Sequence, residues 1–192
     1  MKCFFALFFL LLFSPMGHAA AIPDDAIFIN WFKQLNNATF AYQQTKNIPE
    51  IDTPLKSTGI FQFVKDKGIF LKKETPSKYT FVASTEAYCI SEKREMLKEL
   101  PYFEEIKSII DELLIGDLTT LYRLGEISYF ESKGKWSLDM IPTQKDFSQF
   151  ISKIHLNGDK IPQRINIEYK NKTKIEIILT PKSQDFSNEI EC

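Results

Sequence analysis

The sequence contains few of the side chains from which reactive or metal-binding sites are usually built. Its 192 residues include 3 cysteines and 2 histidines, and of these only Cys89, His155 and Cys192 lie beyond residue 21. It also lacks the G-x-S-x-G, H-E-x-x-H and phosphate-loop patterns that place a nucleophile, a zinc ion or a nucleotide. We therefore predict a protein that is not an enzyme, with no catalytic residue, no metal and no cofactor.

His155 is the one histidine beyond residue 21, and no cluster of Cys, His or Asp surrounds it in the sequence. A catalytic or metal-binding histidine needs such partners. Alternation along the predicted strand S-K-I-H-L places His155 opposite Ile154 and Leu156, on the side that faces solvent. We predict a plain exposed histidine.

Neither sign of charge dominates the sequence. Lysine and arginine together number 24, aspartate and glutamate 25, and the formal net charge is −1. This balance gives no electrostatic reason to expect nucleic acid or an anionic membrane surface as a partner. We therefore expect no nucleic-acid partner, and we expect a monomer.

Long apolar runs are confined to the first 21 residues. Met1-Lys2 is a short cationic start, Cys3–Phe13 is almost purely apolar, and M-G-H-A-A-A ends the segment with small residues. A run of this length is too short for a permanent membrane-spanning helix and is typical of a signal peptide, with an uncleaved anchor as the alternative. We predict cleavage near Ala19 to Ala21, export to the periplasm, and a single mature domain over residues 22–192.

Export to an oxidising compartment would permit a disulfide between the two cysteines that remain. Cys192 is the last residue, so a bridge to Cys89 would fix the tail to the strand around Cys89. The alternative is a buried Cys89 and a frayed, unpaired Cys192. Both stay open, because the sequence does not show whether the two side chains meet.

The apolar pattern predicts helices and short strands in a definite order. Residues 25–36 form an amphipathic helix that is capped by Asp24 or Asp25. A first group of strands follows, a helical insertion occupies residues 91–125, and a second group of strands ends the chain. The apolar side chains at helical spacing in the first helix are Phe28, Trp31, Phe32 and Leu35.

Short turns join the predicted strands, and consecutive strands joined in this way pair antiparallel. Hairpin turns are centred on Lys133-Gly134 and Asn171-Lys172. An open sheet of about eight to eleven short strands curls strongly, into a barrel or part of one. We predict an α+β fold, an incomplete antiparallel β-barrel whose apolar concave face is covered by helices.

The first hairpin, residues 57–75, carries apolar side chains on both faces. Phe61 and Phe63 point one way, whereas Ile60 and Val64 point the other. A hairpin with one solvated face alternates cleanly between apolar and polar residues. The second face is therefore covered either by the protein itself or by a molecule that it binds.

Several segments carry a family resemblance. Residues 40–46 read F-A-Y-Q-Q-T-K, residues 54–63 read P-L-K-S-T-G-I-F-Q-F, and residues 74–76 read E-T-P. Later pieces are L-L-I-G-D-L-T-T-L, K-W-S-L-D-M-I-P and K-I-H-L-N-G-D-K-I-P-Q-R-I-N-I-E-Y. In spacing and apolar pattern, over nearly the whole chain beyond the leader, they resemble a divergent branch of the outer-membrane lipoprotein carrier family (LolA-like).

The resemblance implies helices that form a lid over an apolar cavity, which accepts the acyl chains of lipoproteins or of another lipid. It also implies handover from an inner-membrane donor to an outer-membrane acceptor. The family has an arginine near the first hairpin, whereas this turn reads Val64-Lys65-Asp66-Lys67-Gly68. The alternative is a periplasmic docking module of an envelope or export complex that uses the same half-barrel without carrying lipid.

The resemblance implies that apolar side chains of the strands line the cavity. It also implies that an apolar stripe on the longest predicted helix closes it. The predicted lining residues are Phe61, Phe63, Leu71, Phe81, Trp136, Leu138 and Met140. The predicted lid residues are Phe103, Ile106, Ile110 and Leu113. The alternative for each lining residue is a place in a tightly packed core.

Overall fold

The computed structural model of the chain describes residues 22–34, 37–64, 68–84, 88–90 and 119–183. Its helices are α1 (Ile27–Gln34), α2 (Thr119–Leu124) and α3 (Lys145–Ser148). The strands before α2 are β1 (Asn37–Asn47), β2 (Leu55–Val64), β3 (Gly68–Thr75), β4 (Tyr79–Ser84) and β5 (Tyr88–Ile90). The strands after α2 are β6 (Gly125–Ser132), β7 (Lys135–Pro142), β8 (Ile151–Gly158), β9 (Pro162–Tyr169) and β10 (Lys174–Lys182).

The strands form one ten-stranded sheet in the order β5-β4-β3-β2-β1-β10-β9-β8-β7-β6. Every neighbouring pair is antiparallel. The sheet is curved and unclosed, with β5 and β6 at its two ends. The predicted incomplete antiparallel barrel is therefore confirmed, and so are the first helix and the short helix before β6.

Two of the predicted hairpin turns are confirmed by their backbone. Lys133 and Gly134 both have positive φ, 51° and 73°, which is the conformation of the two-residue turn whose twist suits a hairpin. Lys172 has φ 65° in the β9–β10 turn. Glycine removes the steric cost at one of these positions, and the two lysines occupy the left-handed region as single residues.

The register places all seven predicted cavity residues on one face of the sheet, which we name the α1 face because α1 packs on it. On the first half of the sheet Phe61, Leu71 and Phe81 lie directly opposite one another across β2, β3 and β4. On the second half the opposed residues are Leu138, Leu156, Ile165 and Ile177. Phe63 alternates with Phe61, and Trp136 and Met140 alternate with Leu138.

The second apolar face of the first hairpin is buried in the folded chain. Val64, Phe70 and Val82 form one core cluster on the side of the sheet away from α1, which we name the outer face. Ile60 and Gln62 of the same face are also buried, Gln62 to 1% exposure. On this face no guest molecule is needed to hide the apolar groups.

Helix α1 lies over β6, β7 and β8 and forms the larger core cluster with them. The ring of Phe28 packs on that of Trp136 with centroids 5.1 Å apart, within the range for favourable aromatic pairs. Trp136 is only 2% exposed. The buried members of the cluster are Ile22, Ala26, Phe28, Ile29, Leu124, Ile127, Trp136, Leu138 and Met140.

Several predictions fall on parts of the chain outside the described residues. They concern the predicted leader, residues 1–21, and the predicted helices between residues 91 and 116. The lid residues Phe103, Ile106, Ile110 and Leu113 lie there, as do Cys192 and the side chain of Cys89. The lid and the disulfide therefore stay predictions. Of the helices that the structure describes, none combines the length and the apolar character that crossing a membrane requires.

The Phe28–Trp136 contact predicts a large loss of stability when the helix anchor is truncated. Phe28→Ala should lower the free energy of unfolding by about 3–5 kcal/mol, because it removes a buried ring and leaves a cavity. Urea unfolding followed by circular dichroism measures the change. Lys33→Ala, at an exposed position of the same helix, should stay within about 0.5 kcal/mol of the parent. Equal losses in the two variants would contradict this account of how α1 is held.

Candidate functional site

The first turn of α1 is held by a carboxylate from the sheet. Glu131 Oε2 at the end of β6 accepts a hydrogen bond from the backbone N–H of Ile27 at 3.0 Å and from the hydroxyl of Tyr129 at 2.6 Å. The first N–H groups of a helix have no partner inside the helix and need an acceptor. The predicted cap, Asp24 or Asp25, is thus corrected: the acceptor comes from a distant strand, where it also fixes the helix to the sheet.

These hydrogen bonds favour the charged form of Glu131. The bond from Tyr129, and then the one from Ile27, holds the pKa of this carboxyl below its ordinary value of 4.5. Burial, together with the hydrogen bond to Glu131, raises the pKa of Tyr129 to about 12. At neutral pH the contact is therefore between a carboxylate and an intact phenol, the pairing that a charge-assisted hydrogen bond requires.

Helix α1 has two different faces with different neighbours. Phe28, Ile29 and Phe32 are buried, and Phe28 and Ile29 belong to the larger core cluster. The stripe Ile27, Asn30, Trp31 and Gln34 follows the spacing of adjacent helix turns and faces a pocket instead. Trp31 packs against both the larger core cluster and a second cluster at the centre of the sheet, so it lies where the helix passes from one cluster to the other.

The pocket lies between this stripe of α1 and the ends of the central strands. The start of β1, the end of β10 and the turn between β8 and β9 form its other walls. Its volume is about 570 Å³, within the range of about 300–1,000 Å³ that small-molecule sites occupy. The lining residues are Ile27, Asn30, Trp31, Gln34, Asn37, Ala38, Thr39, Phe40, Lys160, Ile161, Pro181 and Lys182. We name this site the α1 pocket.

The apolar wall of the α1 pocket belongs to a second core cluster, at the centre of the sheet. Phe40, Tyr42 and Leu179 are its buried members. Seven further apolar residues pack against it and are only partly buried: Trp31, Ala38, Phe61, Leu71, Ile161, Ile165 and Ile177. Trp31, Ala38, Phe40 and Ile161 belong to both the cluster and the pocket. The pocket is therefore continuous with an apolar surface that the described residues cover incompletely.

The polar wall of the α1 pocket is cationic. Lys160 from the β8–β9 turn and Lys182 at the end of β10 line it, together with Asn30, Gln34 and Asn37. No aspartate or glutamate is among the lining residues of the described chain. The site thus combines an aromatic and aliphatic wall with positive charge and hydrogen-bond donors.

Asp159, the acidic residue next to Lys160 in the sequence, is hydrogen-bonded within the β8–β9 turn. Asp159 accepts hydrogen bonds from the Gln163 amide at 2.9 Å and from the backbone N–H of Ile161 at 3.4 Å. These bonds hold the carboxylate on the β8–β9 turn. Asp159 therefore orders the turn that brings Lys160 and Ile161 to the pocket.

The predicted cavity residues differ in their surroundings. Trp136, Leu138 and Met140 are buried beneath α1 in the larger core cluster, which is the packed-core arrangement that the sequence left open for them. Phe61 and Leu71 are half-buried and pack against the cluster that lines the pocket. Phe63 is buried and Phe81 half-buried on the same face. A ligand-lining role for the seven stays a prediction.

The sequence analysis missed the residues that line the α1 pocket. Trp31 was visible as part of an amphipathic helix, but the spacing does not say that its ring would stand at the border between two clusters. Phe40 begins the segment F-A-Y-Q-Q-T-K, and Ile161 precedes the proline that starts β9. Phe40 lies near the start of β1 and Ile161 in the β8–β9 turn, whereas Trp31 lies within α1, so no common local signal marks the three.

His155 is not the plain exposed histidine that was predicted. Its Nδ1 lies 2.6 Å from Asp139 Oδ1, and its Nε2 lies 3.2 Å from the amide of Asn157. Lys153 Nζ approaches the other oxygen of Asp139 at 3.0 Å. Burial would raise the pKa of Asp139, but the hydrogen bonds with His155 and Lys153 outweigh it and leave that pKa below its ordinary value. The described residues contain no group of three or more side chains that could hold a metal ion.

No family model matches the chain, and no curated protein matches it. Solved structures are similar in fold. A LolA superfamily protein, NE2245 from Nitrosomonas europaea, is 8% identical with a TM-score of 0.48, and the match covers 88% of this chain and 97% of that one. NE2245 carries the name of the superfamily that the sequence resembles.

MucB of the Pseudomonas aeruginosa MucA/MucB complex is also similar. It is 12% identical with a TM-score of 0.47 over 85% of this chain, and in a second MucB complex, with MucA(peri), the match is 11% identical with a TM-score of 0.44. This chain spans only 60 and 57% of the length of those chains. At such identities the likeness describes the course of the chain, and what MucB binds is said of MucB alone.

The cap of α1 predicts a specific dependence of stability on pH. Because its pKa is lowered in the fold, Glu131 stabilises the folded state fully above its ordinary value of 4.5, and the contribution is lost as the pH falls through the lower folded-state pKa. Glu131→Gln should therefore be less stable than the parent at pH 7, and the difference should shrink as the pH falls below 4.5.

Urea unfolding at a series of pH values measures this difference. Glu126→Gln, at an exposed outer-face position of the same strand, is the matched control and should follow the parent at every pH. A constant difference between Glu131→Gln and the parent from neutral to acid pH would rule out the cap as its source.

Proposed function

We propose that the protein is a periplasmic lipid carrier, a single domain over residues 22–192. In this proposal it binds the acyl chains of lipoproteins or of another lipid on the α1 face and moves them between the inner and the outer membrane. The observation that carries the proposal is the α1 pocket of about 570 Å³, whose apolar wall continues into the half-buried cluster around Phe40 and Leu179.

The two halves of the α1 face differ in a way that supports the proposal. Under α1 the side chains are packed to a few per cent exposure, as for Trp136 and Leu138. At the centre of the sheet the cluster keeps half-buried groups such as Leu71 and Ile177. A protein that only needed a core would gain by burying these residues as well, because each buried apolar side chain contributes about 1.5–3 kcal/mol.

An acyl chain supplies the missing burial. Each methylene that leaves water contributes about 0.8 kcal/mol, so a chain of about sixteen carbons contributes on the order of 10 kcal/mol before the costs of ordering it. A straight apolar chain makes no demand for directional hydrogen bonds, which suits a wall of isoleucine, leucine and phenylalanine. Binding of this kind works by burial and needs no reacting group.

Neighbouring residues of β10 offer a matched pair of variants. Ile177 is half-buried on the α1 face, opposite Gln44 and Ile165, whereas Ile178 is exposed on the outer face. Ile177→Gln should weaken the binding of a fluorescent fatty acid about tenfold, because it places an amide against the chain. Ile178→Gln should bind like the parent.

The measurement is a fluorescence titration of the gently purified, delipidated mature protein, accompanied by mass spectrometry of organic extracts from the protein before delipidation. Thermal unfolding of both variants establishes that they are folded. Absence of extractable lipid together with no uptake of the fluorescent fatty acid would refute the carrier proposal. Equal weakening by both variants would move the binding site away from the α1 face.

A docking module is the second candidate, and one feature favours it. β6 lies at an end of the sheet with β7 as its one strand neighbour among the described residues. Phe130 of β6 is 66% exposed, and Ile141 of β7 is exposed on the same outer face. Edge strands with exposed apolar groups are templates for pairing with another chain.

Photocrosslinking in cells separates the two candidates. A photoreactive residue in place of Phe130 should give one dominant protein adduct if the β6 edge is a docking site, because a stable partner covers the edge continuously. The same residue in place of Ile51, an exposed loop position, is the control. A carrier without a docked partner should give the same weak, heterogeneous adducts at both positions.

A further inference from the structure

We propose that the α1 pocket holds the anionic head group of an acyl lipid, a carboxylate or phosphate at Lys160 and Lys182, while the chain lies on Trp31, Phe40 and Ile161. This inference rests on the proposed lipid binding and adds the chemical class of the ligand. The ligand is a lipid with an acyl chain and a negatively charged head group. A neutral acyl chain would use the apolar wall of the same pocket and leave the lysines unused.

Three of the cations that the structure describes on the sheet pair with carboxylates of neighbouring strands. Lys153 pairs with Asp139, Arg164 with Glu176, and Lys174 with Glu168. Such pairs of opposite charge across neighbouring strands stabilise a sheet. Lys160 and Lys182 line a pocket whose described lining contains no carboxylate, and a ligand with a negative charge would provide one.

The fold, and not the sequence, brings the two lysines together. Lys160 lies in the β8–β9 turn, at the end of the strands where β1 starts. Lys182, the last residue of β10, lies opposite Thr39 at the same place, so it borders the pocket from the outer-face side of the strands. Gln34 and Asn37 also line the pocket, and a side-chain amide can donate hydrogen bonds to carboxylate or phosphate oxygens. Two charges and two amide donors around one pocket favour an anion over a neutral or cationic head group.

The apolar wall lies directly beside these groups. Trp31, Phe40 and Ile161 line the pocket together with the lysines, and the same three residues belong to the cluster that extends across the sheet. A lipid whose head group is at the lysines therefore has its first methylenes on aromatic and aliphatic side chains. Because Lys160 and Lys182 are exposed, the charge term should select among ligands and weaken with salt, and the chain should supply most of the affinity.

The test compares ligands that share one chain and differ in head group. The delipidated mature protein is titrated at low salt, below the aggregation concentration of each ligand, with hexadecanoic acid, hexadecyl phosphate, hexadecanol and a hexadecyltrimethylammonium salt. We expect the acid and the phosphate to bind about tenfold more tightly than the alcohol, and the ammonium salt to bind more weakly than the alcohol. The ratio of acid to phosphate affinity then shows which anion fits better.

The double variant Lys160→Gln/Lys182→Gln should lose the difference between acid and alcohol and bind the alcohol as the parent does. Lys56→Gln/Lys170→Gln, at two exposed positions that do not line the pocket, is the charge-matched control and should keep the difference. Thermal unfolding of both double variants checks that they are folded. Rising salt should reduce the affinity for the acid and leave that for the alcohol nearly unchanged.

The outcomes separate this inference from the carrier proposal on which it rests. Equal affinity for acid, phosphate and alcohol would overturn the head-group site and leave lipid binding intact. An equal loss for all ligands in Lys160→Gln/Lys182→Gln would also overturn it, because it would give the lysines a structural role. No binding of any of the four ligands would overturn both proposals.

Discussion

The pairing of β1 with β10 is the interaction on which the rest of the structure depends. β1 follows the first helix and β10 ends the described chain, yet they lie side by side from Thr39–Lys182 to Asn47–Lys174. This ladder joins two five-stranded meanders into one sheet with a continuous α1 face. Each meander alone would be a small sheet with an apolar face too narrow to support both a core and a binding surface.

The size of α1 explains why the two halves of that face are so different. A helix of eight residues is about 12 Å long, and helices with their side chains are about 10–12 Å wide. Strands lie about 4.8 Å apart, so α1 by itself covers two or three strands out of ten. Its anchor at Phe28 and Trp136, together with the Glu131 cap, fixes it over the strands β6 to β8. Of the residues of α1, Trp31 is the one that packs against the apolar cluster at the centre of the sheet.

The α1 pocket arises where the part of the face that α1 covers meets the part that the described residues cover incompletely. Trp31 belongs to both clusters there, and the polar residues of the same helix stripe turn toward the ends of β1 and β10. Chain ends and turns carry polar and charged side chains because they border solvent. Where an apolar face stops at such a border, the site has an apolar wall and a cationic rim. An amphipathic lipid with an anionic head group would match this arrangement.

Much of the fold was readable from local patterns. The first helix, observed as Ile27–Gln34 within the predicted residues 25–36, and the hairpin turns at Lys133-Gly134 and Asn171-Lys172 depend on neighbours in sequence, and the structure confirms them. The site was less accessible. Trp136, Leu138 and Met140 alternate as cavity residues would, and alternation is the same for a wall and for a core.

The order of the described strands, the antiparallel half-barrel and the apolar character of the α1 face follow from periodicity and turn chemistry, which local sequence encodes. Which part of that face is fully buried and which is half-buried depends on where one short helix is anchored. Tertiary structure also brought Glu131 to α1, Asp139 to His155, and Lys160 to the same pocket as Lys182. Such pairings join residues distant in sequence through strand register, which no local pattern encodes.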